Sequence, residues 1–454
     1  MGEIPDPDPD LADDPVTLLQ GLVRFDTTNP PGNERACVEW TERLLDAAGF
    51  ETETYASDPD RPNLVARLPG DGPAPPLLLY GHVDVVPTEG QDWTHPPFDA
   101  EVEDGFVWGR GTLDMKGGVA MLLAAALRAA REDVDLAGDL MVMVLSDEEA
   151  GGDEGAAYMV EQHPELFADV EYAIGEFGGF PMTIAGERFY PVQMNEKAIC
   201  WSKLTFSGPA GHASMPGDGG AMADMARAVD AIAGSRLPVN VIPPVEEMVE
   251  AVAAELDGET EALVQDLLDP ERTDEALDAL GPEGEIFDAI LHNTAAPTVV
   301  RGGDKENVIP GEVELTLDCR LLPGQTAEDL ERELRELVPD DVDFAFETLR
   351  YEAFPSETDT GLFDLLADTL ERADPTATAV PYVMAGGTDG RHLSRVGVQS
   401  YGYTPLQLPE DFSFMETVHA ADERVPVEAV EFGTDRLFEV LEGYEGGGGP
   451  EPGE

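Results

Sequence analysis

The first 190 residues of the chain are punctuated by short apolar runs, such as Leu77-Leu78-Leu79-Tyr80 and Leu140-Met141-Val142-Met143-Val144-Leu145. Runs of this length, bounded by turn residues, predict strands over 63–68, 76–83, 139–145 and 171–175. Longer stretches between them have helical periodicity, and predict helices over 15–25, 34–48, 115–131 and 153–163. Strands alternating with helices argue for an α/β domain with a mostly parallel central sheet and helices on both faces.

The pattern changes near residue 195. Ala198 to Ser207 reads as a strand, 219–234 as a helix, 312–321 as a strand, 326–337 as a helix and 342–349 as a strand. A strand-helix-strand-strand-helix-strand order predicts a small α+β sandwich over 195–351, inserted into the first domain and carrying an acidic helical insertion over 244–292. The chain then returns to the first domain, with a helix over 360–372, a glycine-rich loop over 385–390 and a last helix over 427–441. The first domain is therefore expected to comprise 15–194 and 352–443. Residues 1–14, which alternate Pro and Asp, and the glycine-rich tail 444–454 are expected to be disordered.

A length of 454 residues admits two or three domains, and an apolar fraction of 42% can bury a large core. No apolar run approaches the roughly 18–20 residues of a membrane span, and the first residues lack the basic and apolar regions of a signal peptide. A cytoplasmic protein is expected. With 94 acidic and 26 basic residues the net charge is −68. Self-repulsion on that scale is tolerable where salt screens it, so a high-salt cytoplasm is expected. Nucleic acid and anionic membranes are excluded as partners by the same charge. Cys37, Cys200 and Cys319 are too widely spaced for a disulfide frame or a thiolate metal site.

The chemistry begins at Gly81-His82-Val83-Asp84. A histidine and a carboxylate two apart at a strand end point to one side, at the carboxyl edge where open α/β sheets place their sites. Asp114, Glu148-Glu149, Glu176 and His419 follow at intervals that suit a metal centre. Such acids near apolar strands need a cation to neutralise them, and the set points to a metallohydrolase. Taken singly, Asp114 reads more readily as a helix cap than as a ligand, and Glu148-Glu149 reads equally well as a solvated helix start. His95, His163, His292 and His392 read as surface or packing residues.

Residues 77–87, 108–118, 145–152, 175–178, 207–216, 304–324 and 386–391 resemble, in order, the dinuclear-zinc amidohydrolase and peptidase family. That family includes acetylornithine deacetylase, succinyl-diaminopimelate desuccinylase, aminoacylase and carboxypeptidases. The resemblance implies a zinc-peptidase-like catalytic domain with an inserted lid and dimerisation domain. It implies two Zn2+ per chain, with Co2+ or Mn2+ as substitutes: His82 and Glu176 on one, Glu149 and His419 on the other, and Asp114 bridging. A bridging hydroxide would attack the amide, Glu148 would serve as general base and then acid, and Asp84 would orient His82. A cis peptide after Asp114 is also implied.

In the inserted domain, His212 matches the residue that stabilises the oxyanion, from a neighbouring subunit in dimeric relatives. Asn307, Arg320 and Thr388 match positions that bind the substrate carboxylate, and Arg391 competes with Arg320 for that task. The expected substrate is an N-acyl amino acid or short peptide with a free carboxylate, and the expected assembly a homodimer. Two other readings predict different behaviour. A non-catalytic metal-binding scaffold needs the ligands but no base, so Glu148 discriminates it. A cation buffer or acidic interaction module predicts no tightly held metal.

Overall fold

The computed structural model describes residues 3–215, 217, 219–352 and 361–446. It divides into two compact units. One is built from Met1–Met194, Thr358–Tyr382 and Thr388–Glu454, and the other from Asn195–Glu357 and Val383–Gly387. The segment 353–360, beside the expected return at 352, lies outside the described residues, as does 447–454 of the tail.

The first unit is organised by a mixed nine-stranded sheet. Strands Leu140–Leu145, Leu77–His82, Tyr172–Gly175 and Gln399–Gly402 lie side by side and parallel, in that spatial order. Their apolar runs follow from burial on both faces. Leu77 and Leu79 enter one core with Leu140, Val142 and Val144. Leu78 and Tyr80 enter the opposite one with Met141, Met143 and Leu145. The first core is covered by helices Pro15–Val23, Arg35–Ala47, Lys116–Glu132 and Val427–Gly443, and the second by Ala156–Gln162. Antiparallel strands Glu51–Tyr55 and Asn63–Leu68 extend one edge. No helix among the described residues is long and apolar enough to cross a membrane.

Over the described residues 3–14, where disorder was expected, the N-terminal segment carries local structure. Pro9–Asp13 forms a 3-10 helix capped by Asp8, whose side chain accepts from Asp10 N, and Ala12 is buried. Arg131 donates to both carboxylate oxygens of Asp13 at 2.6 and 2.7 Å, and Trp40 Nε1 donates to the Pro5 carbonyl at 2.8 Å. The Pro/Asp composition conceals these partners because they lie on helices far along the chain. At the other end Tyr444 is buried and donates to the Pro75 carbonyl.

The second unit is a four-stranded antiparallel sheet in the order Thr294–Arg301, Glu312–Leu321, Ala198–Ser207, Ala345–Glu352. Helices Ala221–Ala233 and Ala327–Leu337 contribute to the core on one face, where Leu204, Phe206, Leu315 and Leu317 are buried with Leu330 and Leu334. Thr294–Arg301 supplies the strand for which the pattern offered no position. The last strand lies three residues later than expected at each end, Ala345–Glu352 against 342–349. Residues between Pro243 and Leu291 form four α-helices and one 3-10 turn.

Candidate metal centre

Three adjacent parallel strands deliver the first residues of the site at their carboxyl ends. His82 closes Leu77–His82, Glu148 and Glu149 follow Leu140–Leu145, and Glu176 follows Tyr172–Gly175. At Gly175 a side chain would collide with the Tyr80 ring, 2.1 Å from the nearest ring atom. Glycine therefore lets this strand approach its neighbour just before Glu176. Asp114 precedes helix Lys116–Glu132 through a cis Asp114–Met115 peptide, and His419 comes from the loop before strand Arg424–Pro426.

The ligand atoms fall into two groups that share Asp114: His82, Asp114 and Glu176, and Asp114, Glu149 and His419. Within each group they lie within 4.8 Å of one another. His82 Nε2 is 3.1 Å from Asp114 Oδ1 and 3.8 Å from Glu176 Oε1. His419 Nε2 is 3.0 Å from Asp114 Oδ2 and 3.4 Å from Glu149 Oε2. The two oxygens of Asp114 thus face opposite groups.

Hydrogen bonding prepares these atoms for cations. His82 Nδ1 lies 3.0 Å from the Asp84 carbonyl, an acceptor only, so Nδ1 carries a proton and Nε2 is the nitrogen turned towards Asp114 and Glu176. The Asp84 carboxylate is 3.3 Å from the same nitrogen, but its closer partners are elsewhere. It accepts from Asn29 Nδ2 at 2.8 Å and from the backbone N–H groups of Glu148 and Glu149 at 3.1 and 3.2 Å. Among the described residues, Glu149 Oε1 and Glu176 Oε2 are buried with no hydrogen-bond partner. Buried carboxylate oxygens in that state are costly unless a cation meets them.

The electrostatics agree. Burial pushes the Glu176 carboxyl up to about 8, and the Asp114 charge adds to the effect. Glu148 is held well above the usual carboxylate range by burial and by Glu176. Hydrogen bonds to Asp114 and Glu149 push His419 up to about 10. Burial disfavours the Asp84 anion, yet the contacts from His82 and Asn29 keep its carboxyl below the usual range. The donor set of two imidazoles and three carboxylates fits a pair of divalent ions such as zinc.

Glu148 adjoins Glu149 in sequence, interacts with Glu176 and His82 electrostatically, and belongs to neither group. Arg391 Nη1 lies 3.7 Å from Glu148 Oε1 and donates to the Thr388 carbonyl at 3.0 Å, while Nη2 donates to the Gly151 carbonyl at 3.2 Å. Thr388 is buried, its hydroxyl accepting from Gly390 N at 3.0 Å. The remaining expected site residues belong to the second unit. Arg320 is bonded to Asp318, with Nε 2.8 Å from Oδ1, and Asn307 and His212 are exposed. The His212 ring nitrogen Nδ1 accepts from Ser214 N at 3.2 Å, so in the neutral ring Nε2 carries the proton.

The pattern of the sequence did not single out several residues that hold the site. Asn29 joins Asp84 to Asp147, and Arg61 ties Asp147 to Glu34. Asp147 has a left-handed backbone, φ 72°, immediately before Glu148. Arg110 and Glu423 flank Asp114 and His419. Asp147 and Arg110 lie inside the motif segments and Glu423 lies four residues after His419, so proximity was a signal for them; Asn29 and Arg61 had none. His95, read as a surface or packing residue, forms a third group with Glu101 and Glu103, but both acids are exposed and its ring stacks on Trp108.

The family model for peptidase family M20/M25/M40 matches residues 78–443. The chain belongs to that family. This family member is 27% identical over 381 residues to the probable carboxypeptidase S-like 2 of Dictyostelium discoideum, covering 82% of this chain and 72% of the relative. It is 28% identical over 451 residues to the succinyl-diaminopimelate desuccinylase of Methylorubrum populi, covering 95% of this chain and 98% of the relative. Its fold matches that of YXEP from Bacillus subtilis, a dinuclear metal-binding peptidase of the family, with a TM-score of 0.60 at 13% identity over 96% of this chain and 98% of that one. M20 family membership makes the protein an amidohydrolase or peptidase that depends on metal.

Proposed function

We propose that this protein hydrolyses the amide bond of an N-acyl amino acid or short peptide that keeps a free carboxylate, at a centre of two zinc ions. The observation that carries the reading is Asp114, whose two oxygens face two separate ligand groups while Glu148 stands outside both. His82 and Glu176 would hold one ion and Glu149 and His419 the other, with Asp114 common to both. When bound, such a pair lowers the pKa of a shared water and polarises the substrate carbonyl. Glu148 then takes the water's proton and returns it to the leaving nitrogen. Its raised affinity for a proton suits both halves of that transfer.

Asp84 fixes the His82 tautomer and the backbone of Glu148 and Glu149. His212, with its proton on Nε2, has the donor that a developing oxyanion needs, and in this reading a homodimer supplies it. Asn307, Arg320 and Thr388 would bind the substrate carboxylate. Arg391, fixed beside Glu148, is better suited to orienting that carboxylate than to leaving it for substrate. The relatives similar to this chain, a carboxypeptidase-like protein and a desuccinylase, support a carboxylate-bearing amide. The charge of −68 supports a cytoplasm of molar salt as the working environment.

The test is a panel of N-acetyl-ornithine, N-succinyl-diaminopimelate, N-acyl neutral amino acids and dipeptides in multimolar KCl, with zinc or cobalt. Turnover of at least one class, lost on chelation, is expected. No turnover of any carboxylate-bearing amide would overturn the proposal.

A further inference from the structure

Arg110 and Glu423 form an ion pair at 2.6 Å whose side chains are both 0% exposed, and neither belongs to a ligand group. A buried pair of this kind is a poor stability device, since apolar residues of similar volume often serve as well or better. What distinguishes it is the set of backbone groups it holds. Glu423 Oε1 accepts the N–H of Leu113 at 2.8 Å and that of Asp114 at 3.3 Å. Arg110 donates in the other direction, from Nη1 to the Ala420 carbonyl and from Nη2 to the His419 carbonyl, each at 3.2 Å. Gln91 completes the link. Its Oε1 accepts from Arg110 Nη2 at 2.8 Å, and its Nε2 donates to the His419 carbonyl at 2.8 Å.

The clamp acts where the chain resists its conformation. His419 has a left-handed backbone, φ 62°, a conformation that disfavours a residue other than glycine. Two donors on its carbonyl hold it there. Because the same ion pair holds the backbone of Asp114, side chains add a second tie between the loops carrying the shared aspartate and the last histidine, beside the bond from Gly109 N to the Glu423 carbonyl.

We infer that Arg110, Glu423 and Gln91 are positioning residues that set the spacing of Asp114 and His419, and with it the affinity of the ion held by Glu149 and His419. The inference rests on the dinuclear reading above. It predicts an asymmetric effect: Asp114 serves both groups, but only the group of Glu149 and His419 also takes its histidine from the loop that Arg110 and Gln91 hold.

Glu423→Gln keeps an oxygen for the Leu113 and Asp114 N–H groups but turns an amide towards the guanidinium. Gln91→Ala removes one donor from the His419 carbonyl at a half-buried position where the fold has less at stake. Each metal-free full-length protein is titrated with zinc against a chelating dye, and with cobalt by visible absorption, in molar KCl. The parent should bind two ions. In Glu423→Gln one ion should bind as in the parent and the other about 10–100-fold more weakly, with a smaller shift of the same ion in Gln91→Ala. Two parental affinities in both variants would overturn the inference, as would equal weakening of both ions. A parent that holds no pair of ions would overturn the dinuclear reading and this inference with it.

Discussion

The carboxylate of Asp84 accepts the backbone N–H of Glu148 at 3.1 Å, so the residue that steadies His82 also fixes the proposed base. One fully buried side chain joins two strand ends, because its other oxygen accepts from Glu149 N and Asn29. Asp84→Asn can keep only one of those oxygens as an acceptor. We expect metal affinity to fall about 10–100-fold and stability by about 1–3 kcal/mol. Isothermal titration with zinc and thermal denaturation check this, and unchanged affinity would mean that the ligands are placed by other contacts.

Glu148 is separated from its neighbour by function. Glu148→Gln should retain both ions and lose about 10²–10⁴ in kcat, whereas Glu149→Gln should lose metal first. Metal content and turnover measured on the same samples distinguish the two. Full activity in Glu148→Gln would assign the proton transfer elsewhere and revive a role for this fold as a metal-binding scaffold.

The legible and illegible parts of this chain divide along physical lines. Strands such as Leu140–Leu145 are legible because burial on both faces demands continuous apolar residues, and the ends of those strands locate His82, Glu149 and Glu176. Strand Thr294–Arg301 is an edge strand with mostly exposed positions, so its pattern carries little signal. Asn29 and Arg61 are polar residues whose partners lie far along the chain, and only tertiary structure reveals that they are buried and bonded. The N-terminal Pro/Asp segment misleads for the same reason, since Arg131 meets Asp13 across 118 positions of sequence.

Arg61 supports the base from behind. It donates to Glu34 through Nε and Nη2, at 3.2 and 2.7 Å, and to Asp147 through Nη1 at 2.7 Å. Arg61→Met would strand the Glu34 carboxylate, whose side chain is 0% exposed, and would leave Asp147, 5% exposed, with only Asn29 and the Glu154 N–H. A loss of about 3–5 kcal/mol is expected, read as a fall in Tm together with reduced turnover, because Asp147 directly precedes Glu148. A variant as stable as the parent would show that Glu34 and Asp147 find other partners.

The surface charge sets a condition on every assay. With 94 acidic residues against 26 basic ones, lowering KCl from molar to about 0.1 M lengthens the screening distance from about 3 to about 10 Å. Tm should fall steeply with dilution and recover when salt is restored. A Tm independent of salt would remove the argument for a high-salt environment.

The central claim, a pair of metal ions bridged by Asp114 and served by Glu148, is tested most directly by elemental analysis. The desalted protein, reconstituted with zinc in molar KCl, is assayed in parallel for hydrolysis of an N-acyl amino acid and a dipeptide. Two tightly held ions per chain, with turnover that disappears when they are chelated and returns when they are restored, are predicted. One ion or none in a protein that still hydrolyses these amides would contradict the account.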